Sequence, residues 1–335
     1  MMERRSMTAF VLWRLVAAGV LALQTGLAAS PAAGETKLVV AVPHAVLFDT
    51  AVPLYVAQEK GFFKDAGLLV EHVVVRGGGE NVQSVVSGSV NIALATGVFS
   101  VLSAFQKGAP LKILAAEMTG TNEIFWYALA NSPYRKLEDL AGKRIAFSTP
   151  GSSSHMSVLA VIDQVKAKGL PAPQAVSLGG MPDGFTGLKT GQTDVAWGVP
   201  PLFFDQIEKG DLRIVLRGDE IQKYGDVTIR VTFANTDFLG KHPDSVRAFF
   251  RAYQKALDFM FENRQETVKI WLGRGLKSTE ALALKSYDFY TKPSMALKPI
   301  KGIQTNMEDA IKFNFLKQPL SQADLDRLID LRYLP

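Results

Sequence analysis

Thr149-Pro150-Gly151-Ser152-Ser153-Ser154-His155 places four hydroxyls, three of them serine, an imidazole and a glycine between an apolar run and a helical pattern. The first amides of a helix lack partners inside it, and the helix dipole leaves partial positive charge at that end. The serines add hydroxyl donors there and Gly151 permits close approach, so the segment suits a sulfonate, phosphate, nitrate or carboxylate. A plain helix cap needs only one serine. The two surplus serines favour an anion site made by Ser152, Ser153, Ser154 and His155.

The other candidates fall just after apolar runs, where ligands of open α/β sheets sit beyond the carboxyl ends of strands. His44 and Phe48 follow the first such run; Thr96-Gly97 and Trp197-Gly198 follow two others. Thr96 and Trp197 are expected to face each other across a cleft, with Trp197 stacking on a planar or apolar part of a ligand. Gly77-Gly78-Gly79 lacks the Gly-Lys-Ser/Thr of a phosphate loop, and Gly78 is read as part of a turn, either ligand-contacting or plain. Thr119 and Asn122 lie near a chain crossing. Arg230 could pair bidentately with an oxyanion, although a solvated or ion-paired arginine is the commoner outcome. Catalytic constellations are thin: the four histidines are widely spaced, cysteine is absent, and no metal motif, serine elbow or carboxylate couple stands out. No metal or cofactor is expected.

The elements that must hold these residues include a unit written twice. Gly88 precedes Val90-Asn91-Ile92-Ala93, a helical run closes at Lys107-Gly108, and Leu111-Lys112-Ile113-Leu114 follows. Gly191 likewise precedes Thr193-Asp194-Val195-Ala196, with Lys209-Gly210 and Leu212-Arg213-Ile214-Val215 after it. A unit built twice predicts two similar lobes with a cleft between them. Strands are read at 38–42, 70–75, 91–95, 124–130, 144–147, 175–178 and 194–197, with helices at 51–64, 80–87, 152–168 and 184–190. This strand and helix alternation predicts α/β lobes built on mainly parallel sheets. From about 241 the chain reads helical, beginning with a long amphipathic run to Glu262; Thr305 and Glu308 have capping-box spacing. The β-rich segment 226–234 is taken as a return crossing to the first lobe.

Arg4, Arg5 and Arg14 precede an apolar run to Ala29 and then small residues, the order of an export signal cleaved between about 28 and 34. Removing residues 1–34 takes away three Arg and one Glu, which leaves a formal charge of +3 in place of +5. Basic residues are scattered, so nucleic acid is not an expected partner. The lack of cysteine also excludes disulfides and a lipid anchor, which together with export points to a monomer in the periplasm.

Pro53 to Phe63, with Ala57, Glu59 and Gly61-Phe62-Phe63, resembles the opening motif of substrate-binding proteins of the nitrate, aliphatic sulfonate and taurine uptake family. Gly88 to Ala93, Leu137 to Ala146 and Phe238 to Tyr253 are similar to further family segments, although Asn91 stands where Asp is usual. The resemblance implies a type II periplasmic binding protein: two lobes, 36–124 with 228–335 and 125–227, on a two-segment hinge. It implies delivery of a small anion, a sulfonate first among candidates, to the permease of an ABC importer and through it to the ATPase. The related pyrimidine-synthase branch carries a cysteine-rich motif that this chain cannot have. The alternatives are a pyrimidine or other heteroaromatic ligand gripped by Trp197, Phe48 and Asp49, and a binding module for a sensor kinase.

Overall fold

The computed structural model describes residues 35–335. The expected export segment lies outside the described residues. Among the described residues ten strands are formed: β1 (Thr36–Val42), β2 (Leu68–Val74), β3 (Ile92–Gly97), β4 (Leu111–Thr119), β5 (Phe125–Leu129), β6 (Arg144–Phe147), β7 (Gln174–Ser177), β8 (Ala196–Gly198), β9 (Leu212–Arg217) and β10 (Thr228–Asn235). The first sheet has the order β2-β1-β3-β10-β4, with β10 antiparallel to both neighbours and the β1 pairings parallel.

The second half repeats that arrangement. The sheets β8-β5-β9 and β6-β7 are joined by a parallel bridge between Ile145 and Val195, which gives the order β7-β6-β8-β5-β9. Again one strand, β5, runs against its neighbours. In the first sheet the reversed strand β10 is supplied after the chain has completed the second sheet. The doubled sequence unit therefore maps onto β3–helix–β4 and β8–helix–β9, as expected from the repeat. Both β3 and β10 are buried along their whole length, although β10 carries Thr228, Arg230, Thr232 and Asn235.

Two crossing segments, 120–124 and 218–227, connect the sheets and are bonded to each other. Gly120 N–H donates to Val227 O at 3.0 Å, Thr121 Oγ1 to Gly218 O at 2.7 Å, and Gly218 N–H to Ile124 O at 2.7 Å.

The tail returns to the first sheet. Pro243 opens the 20-residue helix Pro243–Glu262, which buries Val246, Phe249, Phe250, Tyr253, Leu257 and Met260 at helical spacing. Burial of each large apolar side chain contributes about 1.5–3 kcal/mol. Ile329 bridges to Ile113 and so shields the β4 edge.

Several local expectations are corrected. Gly61 at φ 74° breaks the 51–64 helix into Ala51–Glu59 and Phe62–Asp65. Gly77–Gly79 form the first turn of the helix Gly77–Val86 rather than a separate turn. The helix Ile303–Lys312 starts at Gly302, so Thr305 lies inside it and caps nothing.

Candidate functional site

A cavity of about 240 Å³ lies between the carboxyl ends of the strands of the two sheets. Four helices point their N-termini at it. Gly77 and Gly78 begin one, Gly97 caps Val98–Gln106, Ser152 caps Ser153–Ala167, and Gly180 caps Met181–Lys189. Each end carries roughly half a positive elementary charge on unpaired amides. Those of Ser153 and Ser154 find no acceptor among the described residues.

The three serines divide their work. Ser152 Oγ accepts from His155 N at 3.2 Å and closes the helix cap. Ser148, just after β6, donates to Ser152 Oγ at 2.8 Å, and Ser154 Oγ accepts from Ser148 N at 3.0 Å. The surplus hydroxyls thus satisfy one another, which corrects the expectation that they are spare donors. Ser153 is different: its Oγ accepts from Arg230 Nη1 at 3.4 Å across the cavity wall.

Arg230 is buried, and its Nη2 lies 2.7 Å from both Asp49 Oδ2 and Glu123 Oε1. It is therefore neither solvated nor free, but anchored with one amino group left toward Ser153. Glu117 lies behind it, accepting from Ala95 N at 2.6 Å and from Thr232 Oγ1 at 2.7 Å. Burial pushes both Glu117 and Glu123 up to about 7. With one cation beside these buried groups, desolvation favours the protonated form of Glu117 and of Glu123. Glu123 sits on the first crossing segment and was not among the expected site residues; an acid beside a crossing carries no pattern of its own.

The other expected residues separate cleanly. His44, Gly78, Gly97 and Trp197 line the cavity. Burial lowers the His44 imidazole, which favours its neutral form. Phe48 does not reach the cavity: fully buried, it packs on Tyr290 at 4.8 Å, Tyr287 at 4.9 Å and Trp271 at 5.3 Å. Thr96 turns inward and accepts from Asn81 Nδ2 at 2.8 Å, because side chains alternate along a strand and its neighbours Ala95 and Gly97 take the cavity face. It does not face Trp197. Thr119 is spent on Thr228, hydroxyl to hydroxyl at 3.0 Å, and Asn122 is exposed outside the cavity. His155 points away, stacked on Phe147 at 4.0 Å with Nδ1 accepting from Gly151 N; burial lowers it to about 4.

Met181, Pro182 and Asp183 also line the cavity and were missed. Their signal was present: Gly179-Gly180, then Pro at the second helical position and Asp183 accepting from Gly180 N at 2.9 Å.

A family profile described as NMT1/THI5 like matches residues 50–267. The chain belongs to the NMT1/THI5-like family. This NMT1/THI5-like chain is 29% identical over 232 residues to the taurine-binding periplasmic protein of Escherichia coli (strain K12), covering 63% of this chain and 64% of that one. It is 28% identical over 225 residues to the putative binding protein YtlA of Bacillus subtilis (strain 168), covering 66% and 65%. Both alignments span just under two thirds of the relative's length. The alkanesulfonate-binding protein SsuA from Xanthomonas axonopodis pv. citri, solved bound to MOPS, matches with a TM-score of 0.71 at 16% identity, over 89% of this chain and 99% of that one. At that identity the likeness establishes the fold of the NMT1/THI5-like chain, the two-lobed periplasmic binding protein fold.

Proposed function

We propose that the protein is the extracytoplasmic solute receptor of an ABC importer, binding a small organic anion of the sulfonate class between its lobes. The lobes comprise 36–124 with 228–335 and 125–227, and the bonded segments 120–124 and 218–227 act as the hinge. The observation that carries this reading is the convergence of four helix N-termini, Ser153 and the anchored Arg230 on one cavity. Unpaired amides bind an anion without a net positive charge on the site. Ligand favours the closed lobes because only that state offers both sets of contacts. One relative's name, taurine-binding periplasmic protein, supports work in the periplasm; the receptor would act there as a monomer that hands its ligand to a membrane permease. The role is binding rather than turnover. No helix of the described residues is long and apolar enough to cross a membrane.

The heteroaromatic alternative loses two of its three grips: Phe48 is in the aromatic core and Asp49 is paired with Arg230. A thermal-shift panel of methanesulfonate, taurine, nitrate and free pyrimidines tests the choice. Sulfonates should raise the unfolding temperature; at a hundredfold excess over Kd the gain is about 2.7 kcal/mol. A response to pyrimidines alone would reverse the assignment.

Binding should also depend on pH. A fixed negative guest beside Arg230 raises the proton affinity of Glu123, so binding takes up protons and weakens as pH rises past 7. Sulfonates stay ionised throughout, and His44, lowered by burial, does not counter the trend. Affinity for methanesulfonate should fall about threefold to tenfold from about pH 6 to about pH 8, the effect of up to one proton. Glu123→Gln should flatten that slope. Calorimetry in two buffers of different ionisation enthalpy counts the protons directly; zero uptake in the wild type rejects the coupling.

A further inference from the structure

β10 carries Arg230 to the anion cavity, and a bulge decides which residue of β3 stands beside it. Arg230 pairs with Gly97 and Val231 with Thr96, but Phe233 pairs with Ala93. Leu94 and Ala95 therefore stand together opposite Thr232, two residues against one. Ala95, on the cavity wall, lies at φ 49°, a left-handed conformation that disfavours a residue with a Cβ by about fivefold to thirtyfold. Buried side chains hold the backbone on both sides of this kink. Leu94 O accepts from Asn81 Nδ2 at 3.1 Å, and Ala95 N–H donates to Glu117 Oε2 at 2.6 Å.

Glu117 belongs to β4, on the far side of β10. There Arg230 pairs with Met118 and Val231 with Ala116, so Glu117 is itself the unpaired residue of a second bulge. Its carboxylate reaches across β10 to β3, and Oε2 also accepts from Thr232 Oγ1 at 2.7 Å. Tyr253 Oη lies 3.3 Å from the other oxygen. One side chain thus stitches three strands at the point where two of them are out of step, yet it does not line the cavity.

We infer that Glu117 is the positioning residue of the anion site, fixing the β3 register that sets Gly97 beside Arg230 and against the serine end. The inference rests on the anion-receptor reading and adds to it the group that holds its frame. A slip of one residue exchanges the two faces of a strand and would set Thr96 or Val98 beside Arg230. Only a glycine fits there, since an added Cβ would lie 2.4 Å from Gly151 O.

The test is calorimetry with methanesulfonate on two conservative variants of the mature chain. Glu117→Gln keeps the reach of the acceptor and loses its charge; Glu117→Asp keeps the charge and draws the acceptor back by one methylene. Glu117→Asp should weaken binding at least about tenfold, the effect of leaving buried donors unpaired, and Glu117→Gln by no more than about threefold. Ala95→Gly in the Glu117→Asp background should then recover at least about threefold, because glycine takes the left-handed conformation unaided. Equal effects of the two Glu117 variants, the reverse order, or no recovery from Ala95→Gly overturns the assignment; lost packing alone gives no such pattern.

A measurement without ligand separates this assignment from the receptor reading. By NMR of alanine-labelled protein, the Ala95 amide should exchange with deuterium at least about tenfold faster in Glu117→Asp than in the wild type. If the wild type binds no methanesulfonate while that difference stands, the anion receptor falls and the clamp on β3 remains. Equal exchange in both overturns the clamp. Should Glu117→Asp not fold, Glu117→Gln decides: slow Ala95 exchange with binding kept within about threefold supports the clamp, and fast exchange or weaker binding refutes it.

Discussion

Ser153→Glu is expected to lower affinity for methanesulfonate by at least about a hundredfold while leaving the fold in place. Ser153 occupies the first position of its helix, where a glutamate is compatible with the dipole and with helical backbone. Its hydroxyl already faces Arg230 Nη1, so the longer carboxylate would reach the guanidinium that Asp49 and Glu123 hold in place. The protein would then supply its own anion. A sulfonate entering beside that carboxylate meets like charge in a desolvated site, worth several kcal/mol. Ser152→Ala is the informative partner. It removes the cap bond to His155 N at a cost of about 1 kcal/mol in stability, with a far smaller change in affinity. Calorimetry for binding and circular dichroism for the fold read both variants. Tight binding in Ser153→Glu would detach the anion from the serine end altogether.

The duplicated unit was the most legible feature of the chain because it survives as a whole pattern: glycine, strand, helix, lysine-glycine, strand. It leads directly to β3–helix–β4 and β8–helix–β9. Which residues would line the cavity was harder to read, for two physical reasons. Strand side chains alternate, so the step from Thr96 to Gly97 crosses from core to cavity, and residue type does not reveal the phase. Hydroxyls and acids also acquire their roles from partners far away in sequence. Arg230 is 107 positions from Glu123, and nothing local to either marks them as a pair. Phe48 shows the reverse error. Its place beyond the first strand suggested a ligand contact, but the aromatic tail residues Trp271, Tyr287 and Tyr290 enclose it. The Met181–Asp183 helix start was readable from proline and aspartate positions and was displaced only because the helix was begun three residues late.

Gly97→Ala should reduce ligand affinity at least about a hundredfold, an effect out of proportion to one methyl group. Gly97 has φ −57° and ψ 132°, angles any residue adopts, so alanine brings no backbone strain of its own. The obstacle is contact. A Cβ there would lie 2.4 Å from Gly151 O, 2.7 Å from Ser152 Cα and 2.8 Å from Ser152 C. All three are backbone atoms, so no rotamer change relieves the overlap, and they belong to the loop that follows β6 in the opposite sheet. Relief requires the two strand ends to move apart, which separates the Gly97 helix end from the serine end and leaves a ligand with half of its amides. Gly79→Ala is the control: it lies in the first turn of the helix Gly77–Val86, and no atom lies within 4 Å of its added Cβ. It should bind normally and unfold slightly later, as glycine-to-alanine changes in helices do. Small-angle scattering with and without methanesulfonate distinguishes the mechanism, since the wild type should become more compact on binding and Gly97→Ala should not. Wild-type affinity in Gly97→Ala would mean that the apposition of the two halves is irrelevant to holding the anion, and the hinge would lose its place in the account of binding.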